Sequence, residues 1–82
     1  MRRLFTIVTG RYKIKTVSEL SGFSPTLLRA WELRHGLLEP VRQPSGHRLY
    51  TDDDLRVLRR IGQLLQQGQS IGEVAAQGRV AL

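Results

Sequence analysis

The 82-residue chain has the length of one domain, near the lower limit at which a single core folds unaided, and it has no room for an enclosed catalytic pocket beside a second module. It has no cysteine and only two histidines, His35 and His47, which leaves neither a disulfide framework nor a zinc constellation and leads us to expect a reduced, cytoplasmic domain. Thirteen Lys/Arg against seven Asp/Glu give a net charge of +6, all of it in residues 1–50, where nine Lys/Arg meet three Glu, while residues 51–82 balance four against four.

That asymmetry suits a polyanionic partner, although charge alone does not choose among nucleic acid, an anionic membrane and an acidic protein. In chain order, residues 1–11 read as a basic N-terminal arm, with an extra strand turning at Thr9-Gly10 as the alternative. No apolar run reaches the ~20 residues of a membrane span, and "LFTIV" at 4–8 is shorter than the ~7–15-residue core of a signal peptide. "YKIKT" at 12–16 alternates apolar and basic residues, as a short strand does. Thr16 with Glu19 has the spacing of a capping box, in which each side chain satisfies a backbone N–H left open by the first helical turn. A helix over about 17–21 is therefore predicted, with Val17 and Leu20 inward.

"SGFS" at 21–24 leads into a second helix over 25–35, opened by Ser24 as N-cap and Pro25 at the first helical position. Two short helices joined by a glycine-containing turn make a helix-turn-helix pattern. At ~100° per residue, Leu27, Leu28 and Trp31 fall on one side of the second helix and Thr26, Arg29, Ala30 and Leu33 on the other. One hydroxyl, one guanidinium, a small alanine and a leucine suit base edges and thymine methyls better than they suit water.

"VRQPSGHRLYT" at 41–51 follows, with proline second and glycine fourth in "QPSG", the pattern of a type I turn. Residues 41–43 and 47–50 are predicted to pair as a hairpin tipped with cations. Thr51 with Asp54 opens a third helix over about 52–67, whose acidic first turn suits the positive end of the helix dipole. It carries Val57, Leu58, Ile61, Leu64 and Leu65 on one arc and Arg56, Arg59, Arg60 and Gln63 opposite. Ser70 with Glu73 opens a fourth helix over about 71–77, offering Ile71, Val74 and Ala75 to the same core. Residues 79–82 read as a C-terminal tail to a domain spanning 12–78.

Helix, turn, outward-reading helix, basic hairpin and a final helix pair make a mainly α, winged helix-turn-helix architecture. "LLRAWELRHGLLEPVRQPSGHRLYTDDDL" at 27–55 also resembles the MerR family of transcription regulators, whose members run Leu-Arg-Tyr-Tyr-Glu, then Gly-Leu-Leu-x-Pro-x-Arg, then Gly-Tyr-Arg-x-Tyr. "LRAWELRHG" with "GHRLY" is most similar to its light- and cobalamin-responsive branch, the CarA/CarH/LitR repressors, from which His35 departs where tyrosine is common.

The resemblance implies that the second helix enters the major groove of double-stranded promoter or operator DNA while the hairpin wing touches phosphates and minor groove, where cations meet a negative potential. Matching motif positions give Thr26, Arg29 and Ala30 as helix candidates and Arg42, His47, Arg48 and Tyr50 as wing candidates. It further implies a homodimer on DNA in a longer protein. No cofactor is expected in this chain, and an effector such as cobalamin would belong to a C-terminal domain beyond it.

Each candidate has a plainer role. Trp31 is expected in the core, Arg56, Arg59 and Arg60 as a solvated stripe, and Tyr50 either closing the hairpin against the core or donating its hydroxyl to a phosphate. No nucleophile stands beside a base and no glycine loop cradles phosphate, so an enzyme is not expected. The competing functions are an excisionase-like architectural DNA-binding protein and an adaptor that presents its basic face to an acidic protein.

Overall fold

The computed structural model describes residues 10–82. The N-terminal arm expected over 1–11 lies outside them except for its last two residues, and those are held. Arg11–Tyr12 form strand β1, and the Gly10 amide donates to Asp52 Oδ2 at 2.7 Å. Helices α1 (Ile14–Ser21) and α2 (Pro25–His35) come next, then strands β2 (Val41–Arg42) and β3 (Arg48–Thr51), helices α3 (Asp52–Gln66) and α4 (Ile71–Gln77), and a 3-10 turn at Arg79–Ala81.

The strands make a three-stranded antiparallel sheet in the order β1-β3-β2, with Tyr12 opposite Tyr50 and Arg42 opposite Arg48. This pairing corrects two local expectations. The strand predicted over 12–16 is confined to residues 11–12, because the chain turns into a helix directly after Lys13 and leaves its antiparallel partner β3. Helix α1 then starts at Ile14, with Lys13 as an extended N-cap that makes no side-chain capping bond, so Thr16 sits inside the first turn and forms no capping box. The earlier start also turns Leu20 outward, since Ile14 and Val17 now define the inward side of α1 and Leu20 is 61% exposed.

The other three helix starts follow their capping residues. Ser24 Oγ accepts the Leu27 amide at 3.2 Å with Pro25 behind it, and both capping boxes, Thr51/Asp54 and Ser70/Glu73, are closed in both directions. Gly22 and Gly36 end α1 and α2 in the left-handed region, at φ 82° and 62°, where a side chain would be strained.

One core gathers around α3, whose Val57, Leu58, Ile61 and Leu64 meet Val17, Leu28, Trp31, Leu37, Tyr50 and Val74. Full burial of each large aliphatic contributes roughly 1.5–3 kcal/mol, so α3 is the element against which the rest of this small domain is assembled. Trp31 is in the core as expected, with the Phe23 ring edge-on at 4.7 Å. Leu27, expected inward, sits on the flank of α2 and is 40% exposed.

The segment expected as a C-terminal tail is docked. Arg79 Nη1 donates to Asp54 Oδ1 and to the Leu37 carbonyl, both at 2.8 Å, and Nη2 donates to Asp53 Oδ2 at 2.6 Å. Asp54 is fully buried and also accepts the amides of Glu39 at 2.9 Å and Thr51 at 3.1 Å. One carboxylate thus joins the loop entering the wing, the strand leaving it and the end of the chain. Only its capping role is readable from the neighbouring sequence.

Candidate nucleic-acid interface

Helix α2 presents Thr26, Arg29 and Leu33 to solvent, while Ala30 is half-buried. This is the outward face predicted from the helical period, and it is fixed by Leu28 and Trp31 being locked into the core on the opposite side.

Strands β2 and β3 make the wing. At its tip the Gly46 amide donates to the Gln43 carbonyl at 2.8 Å, closing the turn, and the Gln43 amide donates to the His47 carbonyl at 2.9 Å. Gly46 has φ 90°, a left-handed position that lets the chain re-enter the strand after a three-residue loop. His47 is exposed at this tip, with Nδ1 3.0 Å from Ser45 Oγ, and Arg42 is exposed on β2. The two elements face a shared space. A cleft of about 430 Å3 is lined by Lys13 at the start of α1, Arg29 of α2, and Gln43, His47, Arg48 and Tyr50 of the wing.

The wing is tied to α2 through Glu32, a residue not among the predicted site residues. Its Oε2 accepts Arg48 Nε at 2.8 Å and its Oε1 accepts the Tyr50 hydroxyl at 3.0 Å. Charge-assisted bonds of this length are about twice as strong as neutral ones. Arg48 is held further into its charged form by donating to Glu32 and by that carboxylate's charge. Burial above all, and then the bond to Glu32, push the Tyr50 hydroxyl up to about 12, against the opposing pull of Arg48 and Arg29.

These contacts revise the wing assignment. Tyr50 is fully buried with its hydroxyl committed to Glu32, so it closes the hairpin against the core and is not available to a phosphate. Arg48 is partly exposed and uses its Nε on Glu32, so only its Nη side is left for an outside acceptor. Thr26, Arg29, Arg42 and His47 remain exposed. Glu32 ends the Leu-Arg-Ala-Trp-Glu run that matches the family's Leu-Arg-Tyr-Tyr-Glu motif, but nothing beside it in the sequence names its partners. Its partners lie 16 and 18 residues further along, and only the packing of β3 against α2 brings them together.

Among the described residues no group of His, Cys, Asp and Glu could hold a metal ion, and no helix is long and apolar enough to cross a membrane.

Residues 12–76 match the family model described as the MerR HTH family regulatory protein. The chain is 45% identical over 64 residues to the HTH-type transcriptional repressor CarH of Myxococcus xanthus, an alignment covering 78% of this chain and 21% of that protein. In three dimensions it is similar to a MerR-family transcriptional regulator from Bacillus cereus, with a TM-score of 0.74 and 32% identity, over 82% of this chain and 50% of that one. It is also similar to HiNmlR, a MerR-family regulator lacking the sensor domain and solved bound to promoter DNA, with a TM-score of 0.72 and 29% identity, over 82% of this chain and 53% of that one. The chain thus spans about a fifth of the curated relative and about half of each solved one.

Proposed function

Because the chain belongs to the MerR family of helix-turn-helix regulatory proteins, we propose that it is the sequence-specific, double-stranded DNA-binding domain of a transcription regulator acting in the cytoplasm. Helix α2 enters the major groove, where Arg29 and Thr26 meet base edges with Ala30 between them. The wing carries Arg42, His47 and the Nη side of Arg48 to phosphates and the adjacent minor groove. In a longer protein two such domains sit on an inverted repeat, and a ligand acts through residues outside this chain.

The observation that carries this reading is the shared cleft: Arg29 from α2 and His47 and Arg48 from the wing line one space, so both elements address a single polyanion. Net charge supports it, with the +6 surplus confined to residues 1–50, the half that holds α2 and most of the wing. The promoter-bound relative supports it by analogy of fold.

Selection of the domain against random-sequence duplex DNA, followed by a salt titration on the enriched duplex, tests the proposal. A preferred sequence is expected, with log K falling against log salt by roughly 0.9 for each phosphate neutralised. Enrichment of no sequence together with a near-flat salt dependence would refute it and favour the acidic-protein adaptor. Enrichment of bent or flexible duplexes without a base consensus would favour the architectural alternative.

A further inference from the structure

We infer that Glu32 is a positioning residue for DNA recognition, an acidic side chain on the basic side of the domain whose removal weakens specific binding. The inference rests on the DNA-binding reading above and adds to it how the wing is aimed. Arg42 and Arg48 are directly opposite in the β2–β3 register and therefore share one face of the sheet. Like charges so placed repel and would splay a two-residue strand pair.

Glu32 lies against one of them, at 2.8 Å from Arg48 Nε, and is itself only 10% exposed while Arg48 is 25% exposed. The carboxylate thus sits below the guanidinium, on the protein side. It offsets the repulsion, and by engaging Nε it fixes the plane of the fork and directs the Nη edge outward. Its second oxygen, 3.0 Å from the Tyr50 hydroxyl, locks the carboxylate in turn against a buried ring of the same strand. Because Glu32 belongs to α2, the distance between the reading helix and the wing is set by these two bonds.

Charge counting predicts the opposite outcome on mutation, which makes the inference testable. Glu32→Ala raises the net charge from +6 by one and would tighten binding to every duplex if the residue were only a bystander. Positioning predicts that affinity for the selected duplex falls by about tenfold or more, the scale of losing one base pair's recognition, while affinity for unrelated duplex holds or rises.

Glu32→Gln is the matching control. Its carbonyl accepts Arg48 Nε and its amide donates to the Tyr50 oxygen, so it restores most of the specific affinity without the charge. Arg48→Lys keeps the charge but loses the fork, so it behaves like Glu32→Ala. In ethylation interference the losses fall on phosphates under the wing, while methylation interference at the bases read by Arg29 is unchanged, which general destabilisation would not do.

The experiment is equilibrium binding of the domain and these three variants to selected and unrelated duplexes, with thermal melts run alongside. Should Glu32→Ala fail to fold, Glu32→Gln and Arg48→Lys carry the comparison. The inference is overturned if Glu32→Ala binds the selected duplex as tightly as the parent or tighter, if folded Glu32→Gln is no better than Glu32→Ala, or if Arg48→Lys matches the parent. A parent domain with no sequence preference would instead remove the DNA-binding reading itself.

Discussion

Replacing Arg79 by alanine removes three short bonds that hold the end of the chain, two to α3 and one to the Leu37 carbonyl, and leaves the buried Asp54 carboxylate without its only cationic partner among the described residues. Breaking a buried ion pair from one side typically costs ~3–5 kcal/mol. Two features lower the figure here. Asp54 keeps the Glu39 and Thr51 amides as donors, and Arg79 is 12% exposed, so water can reach the vacated position. A loss of about 2–3 kcal/mol is expected, including about 1 kcal/mol for the bond to the Leu37 carbonyl. At ~0.05–0.15 kcal/mol per residue a domain of this size holds only about 4–12 kcal/mol, and each kcal/mol moves its melting point by roughly 4–8 °C.

Urea melts followed by circular dichroism, with thermal melts alongside, give the number directly. The midpoint should fall with the urea slope unchanged, and Arg79→Lys should lie between the parent and Arg79→Ala, because an ammonium cannot span Asp54, Asp53 and the Leu37 carbonyl together. A loss under about 0.5 kcal/mol, as for an ordinary surface residue, would refute the account of the buried carboxylate.

Two further outcomes follow from the site. Arg29→Ala should cost ~1–3 kcal/mol on the selected duplex and relax the preference at one base pair, whereas Arg42→Ala should weaken all duplexes alike and make the salt slope shallower by about 0.9; binding to single-base variants of the duplex at several salt concentrations separates them, and exchanged behaviour would mean that the roles of helix and wing are reversed. Folding raises the Tyr50 hydroxyl from its ordinary value of 10.0 to about 12, so its contribution to stability is complete below pH 10 and is lost as pH rises through that interval. Thermal melts of the parent and of Tyr50→Phe should therefore converge or cross as pH climbs from 10 toward 12, and an unchanged gap would contradict the buried bond to Glu32.

What the sequence disclosed was decided locally. Ser24-Pro25, Thr51 with Asp54 and Ser70 with Glu73 are bonds across three residues, and each forms as its spacing predicts. The outward face of α2 follows from helical period, and the wing tip from turn chemistry. Thr16 with Glu19 has the same spacing and fails, because β1 pairs with residues some forty positions away and the helix begins immediately after it. Leu20 is misread as a consequence of that shifted start. Glu32 stands in the Leu-Arg-Ala-Trp-Glu motif and Asp54 in a capping box, but their long-range bonds were hidden for a related reason. Their partners, Arg48, Tyr50 and Arg79, are remote in sequence, and a charged residue with a distant partner looks the same as a solvated one until the chain is folded.

The central claim, that α2 and the wing together grip one DNA duplex, is tested most directly by titrating the isotope-labelled domain with the selected duplex and following its backbone amide resonances. The account predicts the largest changes at Thr26 to Leu33 and at Gln43 to Arg48, with α4 and the arginine stripe of α3 nearly silent. Changes centred on Arg56, Arg59, Arg60 and Gln63, with α2 and the wing unmoved, would contradict it.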